Sequence, residues 1–210
     1  MNKPNKEGRE PTITIRKATP DDVEDFVNLL NLLDPFILTC MYGIHTVDPL
    51  RNLFCMKKNI WSYEHYFIAE VDRTVAALIT GFDWKTKQQE RMRTALFMLR
   101  NIGIPYVLRI PYLFMSRSSL GHLERNEYYI GNMVVYPQFR RMYVARILTL
   151  KMEDEARKTG AKRMVLTTRA SNQIAITSFQ QIGYSIEGDV REMVIGKDKI
   201  EFYRLIKDIS

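Results

Sequence analysis

Cysteine is nearly absent from this chain of 210 residues: there are two, Cys40 and Cys55, in no motif spacing. That argues against a disulfide scaffold and against a thiolate metal cluster, and we read both as free thiols in a reducing cytoplasm. Histidine is almost as scarce. His45, His65 and His122 are scattered without metal-ligand spacing, so no metal is expected. No run approaches the roughly 18 consecutive apolar residues of a transmembrane segment. Met1–Glu10 is polar and has no hydrophobic leader core, so residues 1–11 read as a frayed tail before a single domain over 12–210. Internal repeats and low-complexity tracts are also lacking. What remains, 46% hydrophobic and 26% charged, is the composition of a soluble globular chain that can bury a sizeable core.

The organising stretch runs from Tyr128 to Thr168. Residues 128–135 are β-branched and aromatic and predict a buried strand, which Pro137 stops because proline cannot donate to a sheet ladder. From Val144 the apolar residues Val144, Ile147, Leu148, Met152 and Ala156 recur at the spacing of one helix face. Gly160 ends that helix, and Lys162–Thr168 reads as a second strand. Strand, helix, strand is a right-handed crossover unit. Its turn carries Arg140 and Arg141 beside a helix N-terminus, where unpaired N–H groups and partial positive charge favour an anion. Two arginines before a helix equally suit a solvated basic turn.

Around this unit the chain alternates element types. Thr12–Lys17 predicts a first strand, and Thr19-Pro20-Asp21-Asp22 supplies the cap, proline and acids of a helix start. Asp34-Pro35 ends that helix, and residues 36–62 predict one or two short helices. Tyr66–Val71 and Val75–Gly81 predict a hairpin. After the crossover unit come a short helix over Gln173–Ile182, a C-terminal Gly183, and strands at Tyr184–Glu187 and Lys199–Lys207 across a turn-rich 187–198.

The excess positive charge is local. Residues 85–126 hold eight Lys or Arg against Glu90 and Glu124, which is six of the formal +7. Thr86–Asn101 has helical composition with Met92, Ala95, Leu96 and Leu99 on one face, and Ile104–Met115 is apolar with two prolines. A connection this long and this apolar suits a lid over a substrate site or a homodimer contact. Basic patches also attract polyanions, so a nucleic acid or membrane surface is a third reading, which no recognition motif supports.

Three patterns in order resemble the GNAT superfamily of N-acetyltransferases. Val135-x-Pro137-x-x-Arg140-x-x-x-x-Ala145 is similar to that family's pyrophosphate loop, of the form Arg/Gln-x-x-Gly-x-Gly/Ala. Asn172-x-x-Ala175-x-x-x-Phe179-x-x-x-Gly183-Tyr184 resembles its second signature, and Ile13-Thr14-Ile15-Arg16-x-Ala18-Thr19-x-Asp21-Asp22 its first strand and helix start. The resemblance implies an α+β, mixed α/β fold: a twisted mixed sheet of six to seven strands flanked by helices, with residues 85–126 inserted between strands three and four. It further implies acetyl-CoA as co-substrate and an unidentified amine acceptor. Arg140, Arg141, Met142, Tyr143, Val144 and Ala145 would hold the pyrophosphate. Met133, Val134 and Val135 would hold the pantetheine and polarise the carbonyl, and Asn172 and Phe179 would line the cofactor. Glu127 and Tyr129 are the candidate bases, although Glu127 equally suits a solvated carboxylate at a strand end. Two departures stand out. Tyr143 replaces the loop's middle glycine, where a helical φ would keep its amide usable, and Phe179 replaces a tyrosine that would protonate the departing thiolate. The alternatives are a non-catalytic acyl-CoA-binding or regulatory domain, and a basic scaffold for a polyanion.

Overall fold

The computed structural model describes residues 10–33, 47–103, 107–108, 122–195 and 198–210. One seven-stranded sheet runs through them: β1 (Ile13–Lys17), β2 (Tyr66–Val71), β3 (Thr74–Asp83), β4 (Glu127–Val135), β5 (Arg163–Arg169), β6 (Ser185–Ile195) and β7 (Asp198–Asp208), in spatial order β1-β2-β3-β4-β5-β7-β6. Only β4 and β5 pair in parallel; the other neighbours are antiparallel. The helices among the described residues are α1 (Val23–Leu30), α2 (Val47–Cys55), α3 (Trp84–Ile102), α4 (Val144–Lys158) and α5 (Gln173–Gln180). This is the mixed sheet that the resemblance implies.

Local chemistry explains the joints. Asp22 accepts from the Thr19 amide at 2.7 Å and binds Arg16 through both oxygens, at 2.6 and 2.8 Å, while Arg16 Nε reaches Glu70 of β2 at 2.6 Å. One capping carboxylate thus ties the entry of α1 to the sheet. The β2–β3 hairpin turns on two residues, Asp72 and Arg73, both at positive φ (49° and 64°), the twist that two-residue hairpins favour. Thr74 already belongs to β3.

Helices cover both faces. Under α4 lie Leu148, Met152, Ile79, Ile130, Met164 and Leu205; under α1 to α3 lie Phe26, Leu50, Leu53, Phe54, Tyr66 and Met98. The Phe26 and Phe54 rings stack at 4.4 Å. Each such side chain contributes roughly 1.5–3 kcal/mol by leaving water, which holds the sheet rigid between the layers. Gly81 lets two of them meet. A Cβ there would lie 2.6 Å from the Tyr128 ring and 2.8 Å from Met152 Sδ.

Several expectations need correction. Residues 187–198 are not turn-rich: β6 continues to Ile195 past a register jump between Glu187 and Arg191, where Gly188 sits at φ 69°. A bulge absorbs the residues that read as a turn. Helix α3 starts two residues before and ends one residue after the expected 86–101, but its faces are reversed. Thr94 and Met98 are buried, whereas Met92 and Leu96 are 60% and 58% exposed. Polar contacts set the phase. Asp83 caps the first turn through the Thr86 amide (2.7 Å), Glu90 meets His65 (2.6 Å), and the Thr94 hydroxyl accepts from the Ile60 amide (3.1 Å). Within 36–62, α2 and the turn Asn59–Ser62 are described, and residues 36–46 lie outside the described residues. So does Ile104–Met115, apart from 107 and 108.

Candidate functional site

The site is built by a strand that leaves its neighbour. β4 pairs with β5 only from Glu127↔Arg163 to Ile130↔Leu166. β5 then continues along β7 to Arg169, while β4 follows β3 to Ala77↔Val135. The two parallel strands therefore open beyond Ile130 and Leu166. A register jump in β4 marks the opening: Gly81 faces Ile130, but Ile79 faces Met133. The extra residue reverses the alternation of faces. Tyr128 and Ile130 pack under α4 before it, and Met133 and Val135 do so after it, while Val134 enters the opposite core. On the β5 side, the β4 backbone from Gly131 to Val135 has no strand partner among the described residues, and its polar groups line the opening.

At the open end the chain turns into α4. Pro137–Phe139 forms a short 3-10 turn, Arg140 is extended, and Arg141 and Tyr143 take left-handed φ values of 67° and 60°. The helical φ that would keep the Tyr143 amide usable is therefore not taken; the tight reversal here has the left-handed geometry that glycine would take freely. Its ring points outward, 72% exposed. Val144 is buried and Met142 packs against the same core, so their side chains anchor the turn and their backbone forms its rim. No side chain caps the N-terminus of α4, and the first bond back to the cap runs from the Ile147 amide to the Tyr143 carbonyl (3.1 Å). The amides of 144–146 thus lack intrahelical partners. No acid sits in this first turn, whereas α1 opens with Glu24 and Asp25 and α2 with Asp48. Arg140, Arg141 and Arg146 are exposed around it. Cations gathered at the positive end of a helix repel one another and the dipole unless an anion joins them.

The other residues singled out from sequence have definite places. Asn172 is exposed and caps α5, its Oδ1 accepting from the Ala175 amide at 3.2 Å. Phe179 is 5% exposed and meets the Tyr184 ring edge-on at 5.1 Å, in the core. Glu127 is not a solvated carboxylate. It is fully buried, accepts from Arg204 on both oxygens (2.7 Å each), from Arg163 at 2.7 Å and from the Glu124 amide at 2.9 Å. Burial pushes its carboxyl up, but the bonds from Arg204 and Glu124 hold it below the ordinary value. A saturated, ionised carboxylate is a poor proton acceptor, and this corrects its reading as a base. Arg204 and Arg163 were missed; the available signal was an arginine alternating with apolar Tyr203 and Leu205 on a strand.

Tyr129 lies on the face away from α4, against Phe82 (5.8 Å between centroids) and beneath Lys87 (5.1 Å). Burial raises its pKa, and a hydrogen bond with Thr167 only partly offsets this. At neutral pH it is a phenol, which can donate a proton but not collect one. The base reading of Tyr129 is corrected as well. Its contact with Thr167 spans β4 to β5 beyond their last rung, so the hydroxyl sits at the apex of the opening.

Solved structures share this fold. One solved structure of an acetyltransferase superposes with a TM-score of 0.68 at 18% identity, over 94% of this chain and 100% of its own. An N-acetyltransferase from Staphylococcus aureus Mu50 gives 0.66 at 18% identity, over 92% and 99%. A putative acetyltransferase from Salmonella typhimurium, solved with acetyl-CoA as its cofactor, gives 0.59 at 14% identity, over 94% of each chain. These likenesses establish the fold. The model of the acetyltransferase (GNAT) family matches residues 37–184, a span that holds β4, its parting from β5 and the uncapped turn into α4. By that match the chain belongs to the GNAT family of acetyltransferases.

Proposed function

We propose that the protein transfers the acetyl group of acetyl-CoA to a primary amine by direct attack. The observation that carries this is the opening between β4 and β5, which leads from an unpaired strand edge to an uncapped, arginine-flanked helix N-terminus. The amides of 144–146, with Arg140 and Arg141, suit a pyrophosphate. The open edge of β4 from Gly131 to Val135 suits the pantetheine amides, and one of its N–H groups would polarise the thioester carbonyl. The amine nitrogen bonds to the carbonyl carbon as the carbon–sulfur bond breaks, and holding the two together supplies much of the rate. Phe179 cannot protonate the departing thiolate. Tyr129 can: it is neutral, at the apex, and recovers its proton from the nitrogen that has become an amide. The amine must arrive unprotonated, since neither Glu127 nor Tyr129 accepts its proton. We place the reaction in the cytoplasm, where an exposed thiol such as Cys55 stays reduced.

A second reading, a domain that binds acyl-CoA without turnover, is favoured by Phe179 and by the left-handed Tyr143. Thiol release from acetyl-CoA, measured against a panel of amines, separates the two. The expected result is amine-dependent release whose kcat falls about 10- to 100-fold in Tyr129→Phe with KM for acetyl-CoA unchanged. Acetyl-CoA binding without release on any amine would favour the second reading.

A further inference from the structure

Helix α3 carries its apolar stripe on the outside. Met92, Leu96 and Leu99 stand at i, i+4 and i+7, which is one face of a helix, and all three are exposed. Leu108, just past the helix end, is exposed as well. The stripe cannot turn inward, because the opposite side of α3 is pinned. Thr94 and Met98 are buried there, Glu90 meets His65 (2.6 Å), and the Thr94 hydroxyl accepts from the Ile60 amide (3.1 Å). Three large apolar side chains in one row facing water mark a contact surface, where a single one would not.

The charge beside the stripe tells what it meets. Lys85, Arg93 and Arg100 are exposed on α3, and none pairs with a carboxylate among the described residues. The acid of α3, Glu90, is on the inner side with His65. A second copy of the chain, docked by a two-fold axis, would bring these three cations toward their own equivalents. A nucleic acid would meet the cations but leave Met92, Leu96 and Leu99 against phosphate and sugar. The exposed side chains of α3 include no aromatic ring on which a base could stack. An anionic lipid surface accepts both parts: apolar side chains enter the acyl boundary while Lys and Arg stay at the headgroups.

We infer that α3 docks the protein on an anionic membrane surface, with Met92, Leu96 and Leu99 set among the lipids and Lys85, Arg93 and Arg100 on their phosphates. The 19 residues of α3 give a helix about 28 Å long. No helix among the described residues is long and apolar enough to cross a membrane, so α3 lies in the plane of the interface. It packs on the face of the sheet opposite α4, which leaves the turn into α4 uncovered in the docked protein. The docking does not depend on acetyl transfer.

The test is co-sedimentation of the full chain with vesicles of phosphatidylcholine alone and of phosphatidylcholine with phosphatidylserine, at low and high salt. Binding is expected only with phosphatidylserine, and it should weaken as salt rises. Arg93→Gln/Arg100→Gln should lower the partition coefficient about 30-fold, and Met92→Gln/Leu96→Gln at least about tenfold. All four side chains are exposed, so both variants stay folded, which circular dichroism checks. No sedimentation with phosphatidylserine vesicles, equal binding to phosphatidylcholine alone, or unchanged binding in either variant would overturn the inference. So would a dimer or an RNA complex of the unmodified chain that Met92→Gln/Leu96→Gln abolishes, since the stripe would then have another occupant.

Discussion

Tyr143 stands at φ 60° where a glycine would rest without strain. A left-handed non-glycine residue costs about 1–2 kcal/mol, and glycine's greater freedom in the unfolded chain returns about 0.5–1 kcal/mol of that. Tyr143→Gly should therefore stabilise the protein by about 0.5–1 kcal/mol, read as a rise in the urea midpoint, and leave the cofactor turn intact. Glu127 makes the opposite case. Its carboxylate and Arg204 are both buried, so Glu127→Gln leaves a charge uncompensated and should cost about 3–5 kcal/mol. The sign of its pH dependence follows from a folded pKa below the ordinary 4.5. Its contribution is complete above that value and is lost as pH falls through the lower folded one, and Asp22, also lowered, acts likewise from 3.8 downward. Urea midpoints should fall below about pH 4.5, and less steeply in Glu127→Gln; a flat profile in the unmodified protein would refute the linkage.

At the scale of elements, α3 shows how composition can indicate a helix and mislead about its faces. Met92, Leu96 and Leu99 form a stripe by spacing, but Asp83, Glu90 and Thr94 fix the rotation with hydrogen bonds, and Met98 is the side chain that reaches the core. Met98→Ala should accordingly cost about 2–5 kcal/mol, while Leu96→Gln should stay within about 0.5 kcal/mol; thermal unfolding of the two decides it. The contrast marks what a sequence carries. α4 was legible because its apolar residues keep one helical period and Gly160 follows it, and β4 and β5 because they are rich in β-branched or aromatic residues, with Pro137 just after β4. β6 was not, because a bulge at Gly188 lets Asp189, Arg191 and Glu192 continue a strand while reading as a turn. The register jump near Gly131 was equally hidden, although it decides which faces Met133 and Val135 take. The Glu127–Arg204 pair joins residues 77 apart, and nothing local announces such a partnership.

Across the whole molecule, one feature of the sheet does the most. Six strand pairings hold it together, and the single parallel one closes for four residues and then opens. Everything proposed for acetyl-CoA depends on that opening and on the unneutralised turn above it. Arg140, Arg141 and Arg146 crowd a helix end that has no acid of its own, so charge that repels in the free protein becomes favourable when a pyrophosphate arrives. The most direct measurement is a calorimetric titration of the full chain with acetyl-CoA, beside Arg140→Glu/Arg141→Glu. The expected result is one acetyl-CoA per chain, with affinity in the double variant reduced by about 1–3 kcal/mol and more sharply at low salt. No heat of binding from the unmodified protein, or equal affinity in the double variant, would contradict it.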